Sequence, residues 1–175
     1  MEIIVVDDHS EDATVEQVSK FENVKCIKLT EAKGKKSAIE AGVFESRGDW
    51  IAVTDADCWM GKDWLKSMSQ SLDEKTDLVF GGLLLERGGL FAQRQNSEQA
   101  ALLGVTAVSI NRGEAVMGNA ANMLFRKSAF LKAGGYADNK SHLYIFHIPI
   151  AAFAQFRQTL VAYNSIAPRE NGTLA

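Results

Sequence analysis

Two apolar runs that each stop on acidic residues set the pattern of this chain. Ile3–Val6 is continuous and β-branched and ends at Asp7-Asp8-His9-Ser10, while Trp50–Val53 ends at Thr54-Asp55-Ala56-Asp57-Cys58. Short uninterrupted runs bounded by polar turns predict strands buried on both faces. Val24–Leu29 alternates apolar and polar positions and predicts a half-buried strand. Between these lie predicted helices over Thr14–Phe21, capped by Ser10 or Asp12, and over Ser37–Ser46, where Ala38, Ile39, Gly42 and Val43 form a small-residue face. Farther along, the pattern predicts a helix over Trp64–Leu72 and a strand over Leu78–Gly82 that Leu83–Glu86 continues around a glycine bend. A long helix over Ser97–Ile110 is expected to pack on the sheet through Ala100, Ala101, Leu103, Gly104, Ala107 and Val108. A strand-like run at Met123–Arg126 then leads to a short helix, Lys127–Ala133, stopped by Gly134-Gly135.

Strands alternating with helices argue for an α/β sheet whose site lies along the carboxyl edge. If extended geometry persists to the strand end, Asp55 and Asp57 point the same way and can share one cation. Paired carboxylates suit Mg2+ or Mn2+ holding a phosphate. The triplet alone says little, because ten Asp in 175 residues give about 0.6 Asp-x-Asp by chance. The competing reading is a pair of solvated turn acids capping the next helix. Lys33, Lys35 and Lys36 crowd a glycine-containing loop at a helix start, where charge and helix dipole can offset a diphosphate, or where they form an ordinary solvated cluster. The spacing is not that of a Walker A loop. Asn119 and Asn122, three apart before an apolar run, can position a sugar or serve as turn formers bonding their own backbone.

At 46% apolar and 23% charged, the chain fits one globular domain. Nineteen basic and 22 acidic residues give a net charge of −3, so no global footprint for nucleic acid exists. Cys26 and Cys58 lack metal-site or redox spacing and are expected as reduced thiols. With no signal peptide visible after Met1-Glu2, a cytoplasmic location is expected, at the inner face of a membrane if the chain works there. The apolar stretch Leu143–Phe156 is broken by His147, Pro149 and Gln155 and falls short of the ~20 residues of a spanning helix; peripheral membrane contact or an interface suits it better.

These residues resemble the GT-A glycosyltransferases, specifically the family 2 enzymes that invert and use nucleotide-sugar donors. The resemblance rests on Glu2–Asp12, on Lys33–Ile39, on Gly48–Asp57 and on Gly118–Lys127 leading to Gly134-Gly135-Tyr136. It implies a three-layer α/β/α fold with a mostly parallel central sheet. It also implies residues 1–136 as a partial donor-binding domain, with 137–175 a divergent apolar segment of the same domain. By that resemblance Asp8, with Asp7 beside it, contacts the base or ribose of a donor such as a UDP-sugar, and Lys33, Lys35 and Lys36 lie near the nucleotide. Asp57 ligates Mn2+ or Mg2+, Asp55 is shared between ribose and metal, and Asn119 and Asn122 lie toward the sugar and acceptor. The acceptor is a saccharide or a lipid-linked hydroxyl.

The chain departs from the family pattern twice. A strand and helix that normally precede the position of Glu2 are absent, and no residue matches the acidic pair that supplies the catalytic base. The missing first strand implies an unpaired sheet edge, hence self-association through that edge or the apolar C-terminal segment, and a donor-binding half with little or no turnover. Two other readings stand beside this one. A phosphoacceptor receiver domain starts with a run like Ile4-Val5-Val6-Asp7-Asp8-His9 and would place its phosphorylation near Asp55 or Asp57, but needs a Lys-Pro pair that neither Pro149 nor Pro168 supplies; a noncatalytic module would bind the nucleotide sugar and leave it intact.

Overall fold

A computed structural model describes residues 1–84, 89–111, 120–136 and 158–164, with 109–111 and 158–164 described by backbone alone. In chain order the elements are β1 (Glu2–Asp7), α1 (Thr14–Val18), β2 (Val24–Lys28), α2 (Lys35–Glu45), β3 (Trp50–Asp55), α3 (Trp64–Ser69), β4 (Leu78–Phe80), α4 (Gly89–Asn111), β5 (Asn122–Arg126), α5 (Lys127–Lys132) and β6 (Gln158–Asn164). They build one six-stranded sheet in the order β2-β1-β6-β3-β5-β4. The first four strands in that order run parallel, and β5 is antiparallel to both β3 and β4. A mixed sheet of this kind is not the all-parallel doubly wound sheet that a receiver domain requires.

The run of β3 is buried on both sheet faces, whereas β1 buries Ile4 and Val6 on one face and leaves Ile3 and Val5 half-buried on the other, short of the fully buried strand expected there. On one face Ile4 and Val6 of β1 and Ile51 and Val53 of β3 pack against Ala38, Ile39 and Val43 of α2 and Phe130 of α5. On the other, Trp50 and Ala52 of β3 and Leu124 of β5 pack against Met68 and Leu72 at α3. Each Val, Ile, Leu, Met or Phe among them contributes about 1.5–3 kcal/mol by leaving water, which is what holds the strand ends in place. The end of α5 is closed by Gly134 and Gly135 in the left-handed region (φ 84 and 61°), whose N–H groups donate to Leu131 and Phe130 carbonyls.

Four further expectations need correction. First, no gap lies between β1 and β3. β6 occupies that position, registered against Glu2–Asp7 on one side and Trp50–Asp55 on the other, so the open edge that motivated self-association is not there. The apolar stretch Leu143–Phe156 lies outside the described residues. Second, α4 is longer than expected and does not bury its small-residue face: Ala100, Ala101, Leu103, Gly104, Ala107 and Val108 are exposed, and among the side chains described along the helix only Ala92 and Thr106 are buried. Third, β4 stops at Phe80, and Leu83 and Leu84 continue no strand. Fourth, α1 starts at Thr14 as expected but ends at Val18 rather than Phe21, and its N-cap position is Ala13, so Asp12 serves it from outside the helix. The Asp12 carboxylate accepts from the Thr14 N–H at 2.9 Å, and hydrogen bonds from the Thr14 side chain and then its N–H lower the Asp12 pKa.

Candidate functional site

The carboxyl ends of β1, β6 and β3 line one edge of the sheet. Successive strands lie about 4.8 Å apart, so the acids ending β1 and β3 stand roughly 10 Å apart across β6. The N-terminus of α2 meets the same edge, because the β2–α2 loop must turn there to send the helix back across the sheet.

Asp7 closes β1. It is 4% exposed, and its Oδ1 finds no hydrogen-bond partner among the described residues. Asp8 turns toward the lysine loop instead: its Oδ2 accepts from the Gly34 N–H at 2.9 Å, and its Oδ1 accepts from His9 Nδ1 at 3.0 Å. His9 is held in the left-handed region at φ 62°, an uncommon position for a residue with a Cβ. Gly34, at φ 92°, is the residue that lets the loop bend into α2. The β2–α2 loop is thus pinned to the end of β1 by a carboxylate–amide bond.

Asp55 is the last residue of β3, and its carboxylate forms an ion pair with Lys35 Nζ at the first position of α2. Both side chains are about a third exposed. The extended geometry expected to carry Asp57 to the same side does not persist: the strand ends at Asp55, residues 56 and 57 turn, and the Cys58 N–H donates to the Asp55 carbonyl at 3.1 Å. The turn leaves Asp57 exposed, with the Cys58 thiol 4.0 Å from its Oδ1. Burial, then the Asp55 and Asp57 charges, push the Cys58 thiol up, so it stays protonated beside them.

The lysines divide. Lys35 pairs with Asp55, Lys36 lies 5.8 Å from the centroid of the Tyr136 ring, and Lys33 is exposed. Tyr136 closes this side by donating its backbone N–H to Glu40 Oε1, and burial with the Glu40 charge pushes its phenol up.

Asn122 behaves as a structural brace. It is buried at the start of β5; its Oδ1 accepts from Trp64 Nε1 at 2.8 Å, and its Nδ2 donates to the Gly82 carbonyl at 2.9 Å. A Cβ on Gly81 would sit 2.0 Å from that amide, so Gly81 is there to admit Asn122. The amide is spent on joining α3, β4 and β5. Asn119 lies outside the described residues.

No group of three or more metal-ligating side chains occurs among the described residues. The donor set of Asp55 and an open Asp57 fits a hard cation that draws its remaining ligands from a phosphate and water, and does not fit a caged structural ion.

The mixed sheet, the loop-to-helix turn at Gly34 and the two acidic strand ends define a GT-A fold. The sequence profile described as Glycosyl transferase family 2 matches residues 1–134, and the chain belongs to that family of transferases. It is 30% identical over 114 residues to a dolichol-phosphate mannosyltransferase of Pyrococcus furiosus, covering 61% of this chain and 32% of that protein. It is 44% identical over 62 residues to the dolichyl-phosphate beta-glucosyltransferase of Mus musculus (32% of this chain, 19% of that one). With the succinoglycan biosynthesis protein ExoO of Rhizobium meliloti it shares 39% over 75 residues (42% and 22%). The chain therefore spans a third or less of the length of these relatives.

Two features of the site were missed in the sequence. β6 reads as a strand once attention falls on Gln158–Asn164, with its Thr, Val and Tyr, but no local signal tells that it enters the sheet centre. The Trp64–Asn122 bond joins residues far apart in sequence and had no signal at all.

Proposed function

We propose that this chain is the donor-binding domain of a family 2 glycosyltransferase that moves a sugar from a nucleoside-diphosphate sugar, such as a UDP-sugar, to an acceptor hydroxyl with inversion. The observation that carries the reading is the Lys35–Asp55 pair at the end of β3, with Asp57 open beside it and the Gly34 loop tied to Asp8. One cation and one set of acids meet where a diphosphate must bring both negative charge and metal.

In this reading Asp57 is the free ligand for Mn2+ or Mg2+ and Asp55 the shared one. When bound, the ion offsets charge that grows on the departing diphosphate. Lys35 would turn its ammonium from Asp55 to the phosphates of a bound donor, and Asp55 would then be available to hold the cation. Asp7 and Asp8 stand on the base and ribose side. Asp8 also fixes the loop, so its contribution is first to shape and then to contact.

Turnover needs a general base for the acceptor hydroxyl. No residue of this sequence matches the family's acidic pair, so donor binding is the activity this chain displays and transfer is weak or absent. A lipid-phosphate acceptor fits the names of the mannosyl- and glucosyltransferase relatives, and a working position at the cytoplasmic face of a membrane fits such an acceptor. No helix among the described residues is long and apolar enough to cross a membrane.

A thermal-shift panel of nucleoside diphosphates with and without Mn2+ tests the reading, since a ligand that binds only the folded state raises its stability. The expected result is a shift with UDP that requires the ion and disappears in Asp57→Ala. No shift with any nucleoside diphosphate, whatever ion is present, would refute it.

A further inference from the structure

His9 follows Asp8 at the end of β1 and holds two parts of the site edge at once. Its Nδ1 lies 3.0 Å from Asp8 Oδ1, and its Nε2 lies 3.2 Å from the Thr30 carbonyl, near the start of the loop that joins β2 to α2. With an acceptor at each ring nitrogen, the imidazolium can donate to both. The other Asp8 oxygen, Oδ2, accepts from the Gly34 N–H at the far end of the same loop. The carboxylate is therefore gripped at both oxygens, and the ring ties one of those grips to backbone 21 residues away. The Asp8 side chain is 10% exposed, so these neighbours rather than water set its direction.

A second observation is the backbone of His9. At φ 62° it is the single non-glycine residue with a positive φ among the described residues. Glycine takes that conformation freely, whereas a Cβ is strained there. A turn that had only to redirect the chain would be served best by glycine, so the ring standing there has a use that offsets the strain.

We infer that His9 is a positioning residue for donor binding: it fixes the direction of the Asp8 carboxylate and couples it to the β2–α2 loop, whose far end leads into Lys35. The inference rests on the donor-binding reading above and adds to it that the nucleoside side and the phosphate side of the site are set by one clamp, ring to Thr30 and carboxylate to Gly34. His9 acts through Asp8 and the loop, without touching the ligand.

The test uses the full chain, with UDP and Mn2+ titrated calorimetrically beside melting curves for His9→Gly and His9→Ala. Glycine lacks the ring and is at home at φ 62°; alanine lacks the ring and keeps the strain. His9→Gly is expected to melt within a few degrees of wild type and His9→Ala lower. Both are expected to bind UDP roughly tenfold more weakly, the order of one hydrogen bond to a charged group. Mn2+ alone should bind both variants as it binds wild type. Hydrogen exchange at Gly34 supplies an arm independent of ligand: it should be faster in both variants, because the carboxylate that accepts from this N–H is free to turn.

UDP binding within twofold of wild type in His9→Gly overturns the positioning role and leaves His9 a turn former. An equal loss of Mn2+ affinity marks a general disturbance of the edge and overturns it as well. An unchanged exchange rate at Gly34 in His9→Gly overturns the coupling to the loop. Should the wild type bind no nucleoside diphosphate, the donor-binding reading fails and takes this role with it, while the exchange at Gly34 still reports whether the ring holds the loop.

Discussion

Replacing Lys35 with alanine separates a stabilising ion pair from a ligand-binding one. The pair with Asp55 joins the first turn of α2 to the end of β3, and both side chains are about a third exposed. Exposed pairs are worth about 0.2–1 kcal/mol, because solvent screens the charges and two long side chains must be ordered. For a chain of this size 1 kcal/mol moves the unfolding temperature by about 2–4 °C, so Lys35→Ala should melt within a few degrees of wild type. The effect on ligand should be far larger. If Lys35 turns to the diphosphate, its loss removes a charge-assisted contact worth about 1.5–3 kcal/mol, or roughly tenfold to a hundredfold in the Kd for UDP with Mn2+. The affinity for Mn2+ alone should move the other way, since Asp55 loses its resident cation. Calorimetric titration of UDP and of Mn2+, beside a melting curve, reads all three quantities. UDP binding equal to wild type, or a melting temperature lower by more than about 10 °C, would refute the exchange of partners.

Much of this architecture was legible before any coordinates, and the residues show why. Trp50–Val53 is buried on both faces as expected, while β1 buries Ile4 and Val6 and leaves Ile3 and Val5 half-buried; in both runs nothing in the local pattern competes with the strand, and the acids mark where it ends. α2 was legible because Gly34 and the small residues Ala38 and Gly42 leave one close-packed solution. α4 misled because small apolar residues at helical spacing read as a packing face whether or not anything packs on them; here they are exposed. Asp55 and Asp57 stand out by type and spacing, yet the physical argument for their shared direction failed, since a turn and not a strand joins them. Asn122 illustrates the limit most clearly. Its amide could serve a sugar or the fold, and only the positions of Trp64 and Gly82, set by other elements, decide for the fold.

Three further outcomes follow from the same geometry. Asn122→Ala should leave the Trp64 indole N–H and the Gly82 carbonyl without partners, at about 1–3 kcal/mol for each group so orphaned, and lower the melting temperature by several degrees; UDP affinity should stay within twofold, whereas a sugar-contacting amide would show a binding loss without the stability loss. Cys58 should alkylate slowly at neutral pH and speed up only above its ordinary thiol range, because burial and the neighbouring acids raise its pKa and the thiolate is the reactive form; fast modification at pH 7, read by mass spectrometry, would contradict the charge arrangement of the turn. Asp8→Asn should release the loop, because a neutral amide oxygen is a weaker acceptor for the Gly34 N–H than a carboxylate; faster hydrogen exchange at Gly34 is the expected sign, and an unchanged rate would show that the bond does not hold the loop.

The central claim, one divalent ion held between the end of β3 and a nucleoside diphosphate, is tested most directly by the paramagnetism of Mn2+. With UDP present, substoichiometric Mn2+ should broaden the amide signals of Asp55 to Cys58 and of Gly34 to Lys36 in wild type and spare them in Asp57→Ala. Broadening centred elsewhere, or equal in the two proteins, would contradict the account.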